Sequence, residues 1–281
     1  MDWYRGKKVL ITGGSKGIGR ATAVRLAGAG AHVVVSARGQ AALDETVEAM
    51  RAAGGSDAVL GAVAFDVTDR PAVQAGTAKA VELLGGLDLL ICNTGYAETG
   101  VLAECDEDSH ERMMRVNYLG HVNVVRALAP HFVAQGSGDI CLVSSMLGFL
   151  GLYGYSAYAA SKFAIVGFGQ ALRQEMKLHD VRVTVFYPPT TKTPGLEAEN
   201  ESKPPVVWAL ESDSGWNKIY EADEVAAGLL SSIRKGTFDA MVGADSKLIY
   251  TLARHVPGIT RYFADGDLKK AIQKVGAAEG S

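Results

Sequence analysis

Val9-Leu10-Ile11-Thr12-Gly13-Gly14-Ser15-Lys16-Gly17-Ile18-Gly19 is the stretch that decides the fold. Its apolar start reads as a short buried strand and its glycines as a tight turn. Ala21, Val24, Leu26 and Ala27 then recur at helical spacing. A strand, a glycine-rich turn and a helix N-terminus together form a cradle for a dinucleotide pyrophosphate. The glycines let backbone approach the phosphates, and the free N–H groups and helix dipole favour negative charge. Gly13, Ser15, Lys16, Gly17, Ile18 and Gly19 are therefore candidate cofactor-binding residues.

Working outward, apolar strand-like runs recur at 9–11, 32–36, 59–65, 87–92, 139–143, 182–186 and 239–242. Helical patterns separate the first six and are clearest at 41–53, 70–84, 107–134 and 155–179. Strands alternating with helices call for a parallel sheet covered on both faces. The expected fold is α/β: a Rossmann-type, doubly wound, seven-stranded parallel sheet with helices on both faces and a C-terminal helical extension. The 281 residues suit one dinucleotide-binding catalytic domain. Its core is expected over about 7–243, with a substrate segment over about 190–217 and the extension over 244–281.

A second motif lies in Tyr158-Ala159-Ala160-Ser161-Lys162. Positions i and i+4 of a helix share a face, so phenol and ammonium project into one space. A free tyrosine, with a pKa of about 10, is a poor acid near neutrality. A neighbouring ammonium favours the phenolate and is expected to lower that value.

Read together, these motifs resemble the short-chain dehydrogenase/reductase family from about residue 7 to about 243. The family's T-G-x-x-x-G-x-G stands as Thr12 to Gly19, and its Asn-Asn-Ala-Gly strand end as Cys92-Asn93-Thr94-Gly95. Its catalytic residues fall on Asn117, Ser145, Tyr158 and Lys162. The resemblance implies hydride exchange between a nicotinamide and a carbonyl carbon, with Tyr158 giving its proton to the carbonyl oxygen. Lys162 is implied to hold the nicotinamide ribose, Ser145 the substrate oxygen, and Asn117 a water that relays protons to Lys162. Asp66 and Val67 fall beside the adenine, Asn93 and Gly95 along the cofactor, and Pro188, Thr191 and Thr193 on the nicotinamide side.

The end of the second strand bears on cofactor choice. A carboxylate there would bind a ribose 2′-hydroxyl, whereas an arginine would accept a 2′-phosphate. Ser36-Ala37-Arg38 offers no acid, and Lys16 adds a second cation, so NADP(H) is expected. A narrower likeness, to 3-ketodihydrosphingosine reductases, runs through Val143-Ser144-Ser145, Gly151-Leu152-Tyr153-Gly154-Tyr155 and Tyr187-Pro188-Pro189. It continues at Glu199-Asn200 and Lys203-Pro204. This implies NADPH-dependent reduction of the 3-keto group of a long-chain sphingoid base, in sphingolipid biosynthesis. The chain departs at Thr190 and Lys192, where that group would carry acids able to meet the substrate amine. Other apolar carbonyls, a steroid or a 3-oxoacyl chain, are the alternative substrates. A nucleotide sensor or scaffold is the non-enzymatic alternative, against which the four polar residues argue.

Leu147, Phe149, Leu150, Leu152 and Tyr153 crowd between Ser145 and Tyr158. With a cover over 197–217, which carries Trp208 and Trp216, they are expected to form an apolar channel. Net charge of −3 without a Lys/Arg cluster gives no nucleic-acid footprint. Cys92, Cys105 and Cys141 form no C-x-x-C, and His110-Glu111 lacks a following histidine, so no metal site is read. The N-terminus has no signal-peptide core, and the uncharged run 140–161 is interrupted by Gly148, Gly151 and Gly154. A cytoplasmic homodimer or homotetramer without a transmembrane helix is expected. In 247–263, apolar residues at helical spacing beside Lys247, Arg254 and Arg261 suggest two short amphipathic helices divided at Pro257-Gly258. These serve core packing, a subunit contact or a membrane surface.

Overall fold

The computed structural model describes residues 1–54, 57–213 and 218–279. Trp216, one of the two tryptophans expected in the cover, lies outside the described residues. Seven parallel strands form the main sheet: β1 (Lys8–Thr12), β2 (His32–Ala37), β3 (Leu60–Ala64), β4 (Leu89–Cys92), β5 (Gly138–Val143), β6 (Val181–Tyr187) and β9 (Asp239–Met241). Their order is β3-β2-β1-β4-β5-β6-β9. The expected Rossmann-type sheet is present.

The central strands read as unbroken apolar runs because both faces are buried. Val9, Ile11, Val33 and Val35 pack on one face against α1 (Gly17–Gly28), α2 (Gln40–Ala53) and α9 (Ala222–Arg234). Leu10 and Val34, one residue out of phase, pack on the other. There they meet α3 (Arg70–Leu84), α5 (Gly120–Gln135) and α6 (Ser156–Lys177). Helix ends follow local chemistry. At α3, Asp69 accepts a hydrogen bond from the Ala72 amide at 3.0 Å, and Gly85 ends the helix with φ 65°.

The continuous helix expected over 107–134 is divided. A short α4 (Ser109–Met113) passes into a π-helical turn, Met114–Leu119, before α5 begins. Asn117 sits inside that turn. An added residue per turn leaves the apolar pattern nearly unchanged, so periodicity did not show it.

Helices also occupy the described part of the expected cover, 197–213. A two-residue strand, β7 (Thr191–Lys192), pairs in parallel with β8 (Tyr220–Glu221), pinning both ends of the excursion. Between them lie α7 (Pro194–Glu201) and α8 (Pro205–Asp213). The extension forms α10 (Ala244–His255) and α11 (Pro257–Glu279), divided at the expected place, but α11 is not short: it runs on for 23 residues, and it packs on α8. Among the described residues no helix is long and apolar enough to cross a membrane.

Candidate active site

The strand order reverses direction between β1 and β4, and a crevice opens there at the carboxyl ends. Asn93 Nδ2 donates to the Gly13 carbonyl at 3.0 Å, and Thr12 Oγ1 accepts from the Asn93 amide at 3.2 Å. These bonds tie the glycine turn to the end of β4. Gly13 has φ +66°, and a Cβ there would stand 2.9 Å from Thr94 backbone. A Cβ at Gly19 would stand 2.3 Å from the Gly13 carbonyl oxygen. Gly19 therefore acts from behind the turn, permitting its closeness, while Gly13, Ser15, Lys16, Gly17 and Ile18 line the crevice.

Arg38, Asp66, Val67, Asn93, Gly95, Pro188, Thr191 and Thr193 line the same space. Lys16 and Arg38 are exposed at its rim, and neither forms an ion pair among the described residues. The hydroxyl of Ser36, which lines the same cavity, is buried without a hydrogen-bond partner among the described residues. Asp66 accepts from the Thr68 amide and hydroxyl, both at 2.8 Å, forming a turn at the end of β3. Thr191 donates to the Pro189 carbonyl at 2.7 Å. Thr193 accepts from the Leu196 amide at 3.2 Å as the cap of α7. The close glycine turn and the free hydrogen-bonding capacity of the Ser36 hydroxyl fit a dinucleotide.

At the other end of the cavity, α6 presents Tyr158 and Lys162 toward the ends of β4 and β5. Lys162 Nζ donates to the Val143 carbonyl at 3.2 Å and lies 5.6 Å from the centroid of the Tyr158 ring. Ser145, at the end of β5, accepts from the Leu147 amide at 3.1 Å. Burial raises the Tyr158 phenol to about 12, against a hydrogen bond from Ser145 that lowers it. Burial also pulls the Lys162 ammonium down to about 7. The expected lowering of Tyr158 by its neighbour is thus absent in the free chain: removal from water penalises both charged forms and sets the direction of both shifts.

Asn117 is fully buried and does not line the cavity. Its amide donates to the Tyr96 carbonyl at 2.9 Å and to Ser161 Oγ at 3.0 Å, and its carbonyl accepts from the Tyr96 amide at 3.0 Å. Gly95 separates it from Lys162: a Cβ there would meet Lys162 Nζ at 3.1 Å and Asn117 Oδ1 at 3.2 Å.

The cavity measures about 1550 Å³. Leu147, Leu150, Leu152 and Tyr153 line it as expected, but Phe149 does not. Its ring packs edge-on against Tyr187 and Tyr250, at 5.4 and 5.0 Å, and so belongs to the core behind the site. Val207 and Leu210 of α8 close one side, and Ile249, Leu252, Ile259 and Phe263 of the extension close another. That second contribution was missed from sequence. An amphipathic pattern shows that a face is apolar and not which cavity it covers.

The profile of the family described as short chain dehydrogenase matches residues 7–204. The chain belongs to that family. The short-chain dehydrogenase is 34% identical over 257 residues to a 3-ketodihydrosphingosine reductase of Mus musculus, covering 91% of this chain and 76% of that one. It is 38% identical over 237 residues to a 3-dehydrosphinganine reductase of Arabidopsis thaliana, covering 83% and 70%. Its fold matches the crystal structure of levodione reductase with a TM-score of 0.77 at 24% identity, over 87% of this chain and 98% of that one. The protein is an oxidoreductase acting on a CH–OH or keto group, and membership implies a nicotinamide cofactor.

Proposed function

We propose that this short-chain dehydrogenase reduces the 3-keto group of a long-chain sphingoid base with NADPH. The observation that carries the reading is one continuous cavity. It joins the glycine turn to Tyr158 and then runs on between apolar walls from the β5–α6 loop, the cover and the extension.

Lys16, Ser36 and Arg38 would hold the 2′-phosphate, and Gly13 to Ile18 the pyrophosphate. Asp66 and Val67 would flank the adenine, and Pro188, Thr191 and Thr193 the nicotinamide. Bound there, the cofactor supplies the hydride for the carbonyl carbon. Tyr158 donates its phenolic proton to the carbonyl oxygen, and Ser145 holds that oxygen in reach. Lys162, when protonated, stabilises the phenolate that remains and binds the ribose hydroxyls. Asn117 is assigned a positioning role: its amide clamps the turn after Gly95 and the Ser161 turn of the Tyr158 helix.

The reading carries a chemical need as well. A phenol raised to about 12 gives up its proton only where negative charge develops beside it, as on a carbonyl oxygen accepting hydride. Purified protein with NADPH should oxidise the cofactor with 3-keto sphingoid bases in preference to steroids and 3-oxoacyl thioesters. Turnover of either of those classes alone would overturn the substrate assignment.

A further inference from the structure

The Glu199-Asn200 and Lys203-Pro204 segment is unused by the chemistry above, yet it lies on the cavity wall. Lys203 carries a fully buried side chain. Its Nζ lies 3.1 Å from Glu199 and 2.6 Å from Glu211, which α8 brings up from the opposite side. Both carboxylates line the cavity, with side chains 13% and 24% exposed. Tyr155 Oη lies 2.5 Å from an oxygen of each. The Tyr155 ring lies 6.2 Å from that of Tyr158. Glu199 is close enough to Tyr158 that its charge helps to hold the phenol protonated.

Charge decides what this wall can receive. Among the described residues one ammonium, Lys203, faces two carboxyl groups, so with both ionised one negative charge stands in excess in a poorly hydrated place. Lys162, the other buried amine of the site, is turned to the Val143 carbonyl, and Lys218, also on the cavity wall, lies over the Tyr220 ring. A buried charge is stable when paired, so the wall favours a cationic ligand group. Its place narrows the choice. The carboxylates stand beside Tyr155, one helical turn before the tyrosine proposed to meet the carbonyl oxygen.

We infer that Glu199, with Glu211 held beside it by Lys203, recognises a protonated amine on the carbon next to the reacting carbonyl. The inference rests on the proposed reduction of an amino ketone and supplies its specificity element. It also places the acids that Thr190 and Lys192 lack on a different segment, brought to the site by the cover helices.

The test is a ratio. kcat/KM is measured for 3-ketodihydrosphingosine and for the 1-hydroxy-3-ketone of equal chain length that lacks the amine, in wild type and Glu199→Gln. Loss of a charge-assisted contact should lower the amine-over-neutral ratio by about tenfold to a hundredfold. A structural role for Glu199 would lower both rates together and leave the ratio unchanged, which would overturn the inference. Should the variant fold poorly, the wild type decides: dodecylamine should inhibit at least tenfold more tightly than dodecanol, and equal inhibition would overturn it. Failure of the wild type to reduce either ketone would remove the proposed function and this inference together. An unchanged ratio with active wild type would remove this inference alone.

Discussion

Lengthening the alkyl chain of a 3-keto sphingoid base should raise kcat/KM in regular steps, because the cavity beyond Tyr158 is walled by apolar side chains from four separate segments. Leu147, Leu150 and Leu152 come from the β5–α6 loop, Val207 and Leu210 from α8, Ile249 and Leu252 from α10, and Ile259 and Phe263 from α11. Burial of one CH₂ contributes about 0.8 kcal/mol, or about fourfold in affinity. Four added methylenes should therefore gain roughly two hundredfold if all four are enclosed. The gain should stop where the wall ends. Phe263 is 61% exposed and marks that rim, so Phe263→Asp should affect the longest chains and spare the shortest. The assay is NADPH oxidation below the concentration at which each lipid aggregates. A flat series, or a Phe263→Asp effect equal at every length, would refute the channel.

Other outcomes follow from the same geometry. Arg38→Asp should shift the ratio of kcat/KM for NADPH over NADH toward NADH by replacing a phosphate-binding cation with an anion; an unchanged ratio would show that Arg38 does not face the 2′-phosphate. Lys203→Met leaves two carboxylates together with their buried partner gone, and should cost about 3 kcal/mol in urea unfolding at neutral pH. That cost should shrink as acid protonates the carboxylates; a loss independent of pH would contradict it. Lys162 binds its proton less well folded than unfolded, so its burial makes stability rise with pH above about 7. Lys162→Met should therefore be stabilising for the cofactor-free protein near pH 7, with an advantage falling by about 1.4 kcal/mol per pH unit toward pH 9. A constant difference across that range would show that Lys162 does not titrate there.

Much of the fold was legible because the central strands β1, β2, β4, β5 and β6 are buried on both faces and helices separate each strand from the next. The phosphate turn was legible for the same local reason, since Gly13 to Gly19 permit one close backbone path. Legibility failed where distant segments meet. Glu199 and Lys203 are one turn apart on the chain, but Glu211 joins them only where α8 brings its carboxylate to the Lys203 ammonium and the Tyr155 hydroxyl. Phe149 shares its composition with its cavity-lining neighbours and differs only in facing Tyr187 and Tyr250. Asn117 was placed in a helix, but the π turn that turns its amide toward Tyr96 leaves no mark in the apolar periodicity. The sign of the Tyr158 shift also depended on burial, which spacing alone does not report.

The central claim is that Tyr158 delivers the proton to the ketone oxygen, and single-turnover reduction by Tyr158→Phe tests it most directly. The variant removes one hydroxyl and keeps the ring between Tyr155 and Lys162, so NADPH binding should stay within a few-fold of wild type. The rate of NADPH oxidation at saturating 3-ketodihydrosphingosine should fall by about a hundredfold to ten-thousandfold. Near-normal turnover in Tyr158→Phe would contradict the account.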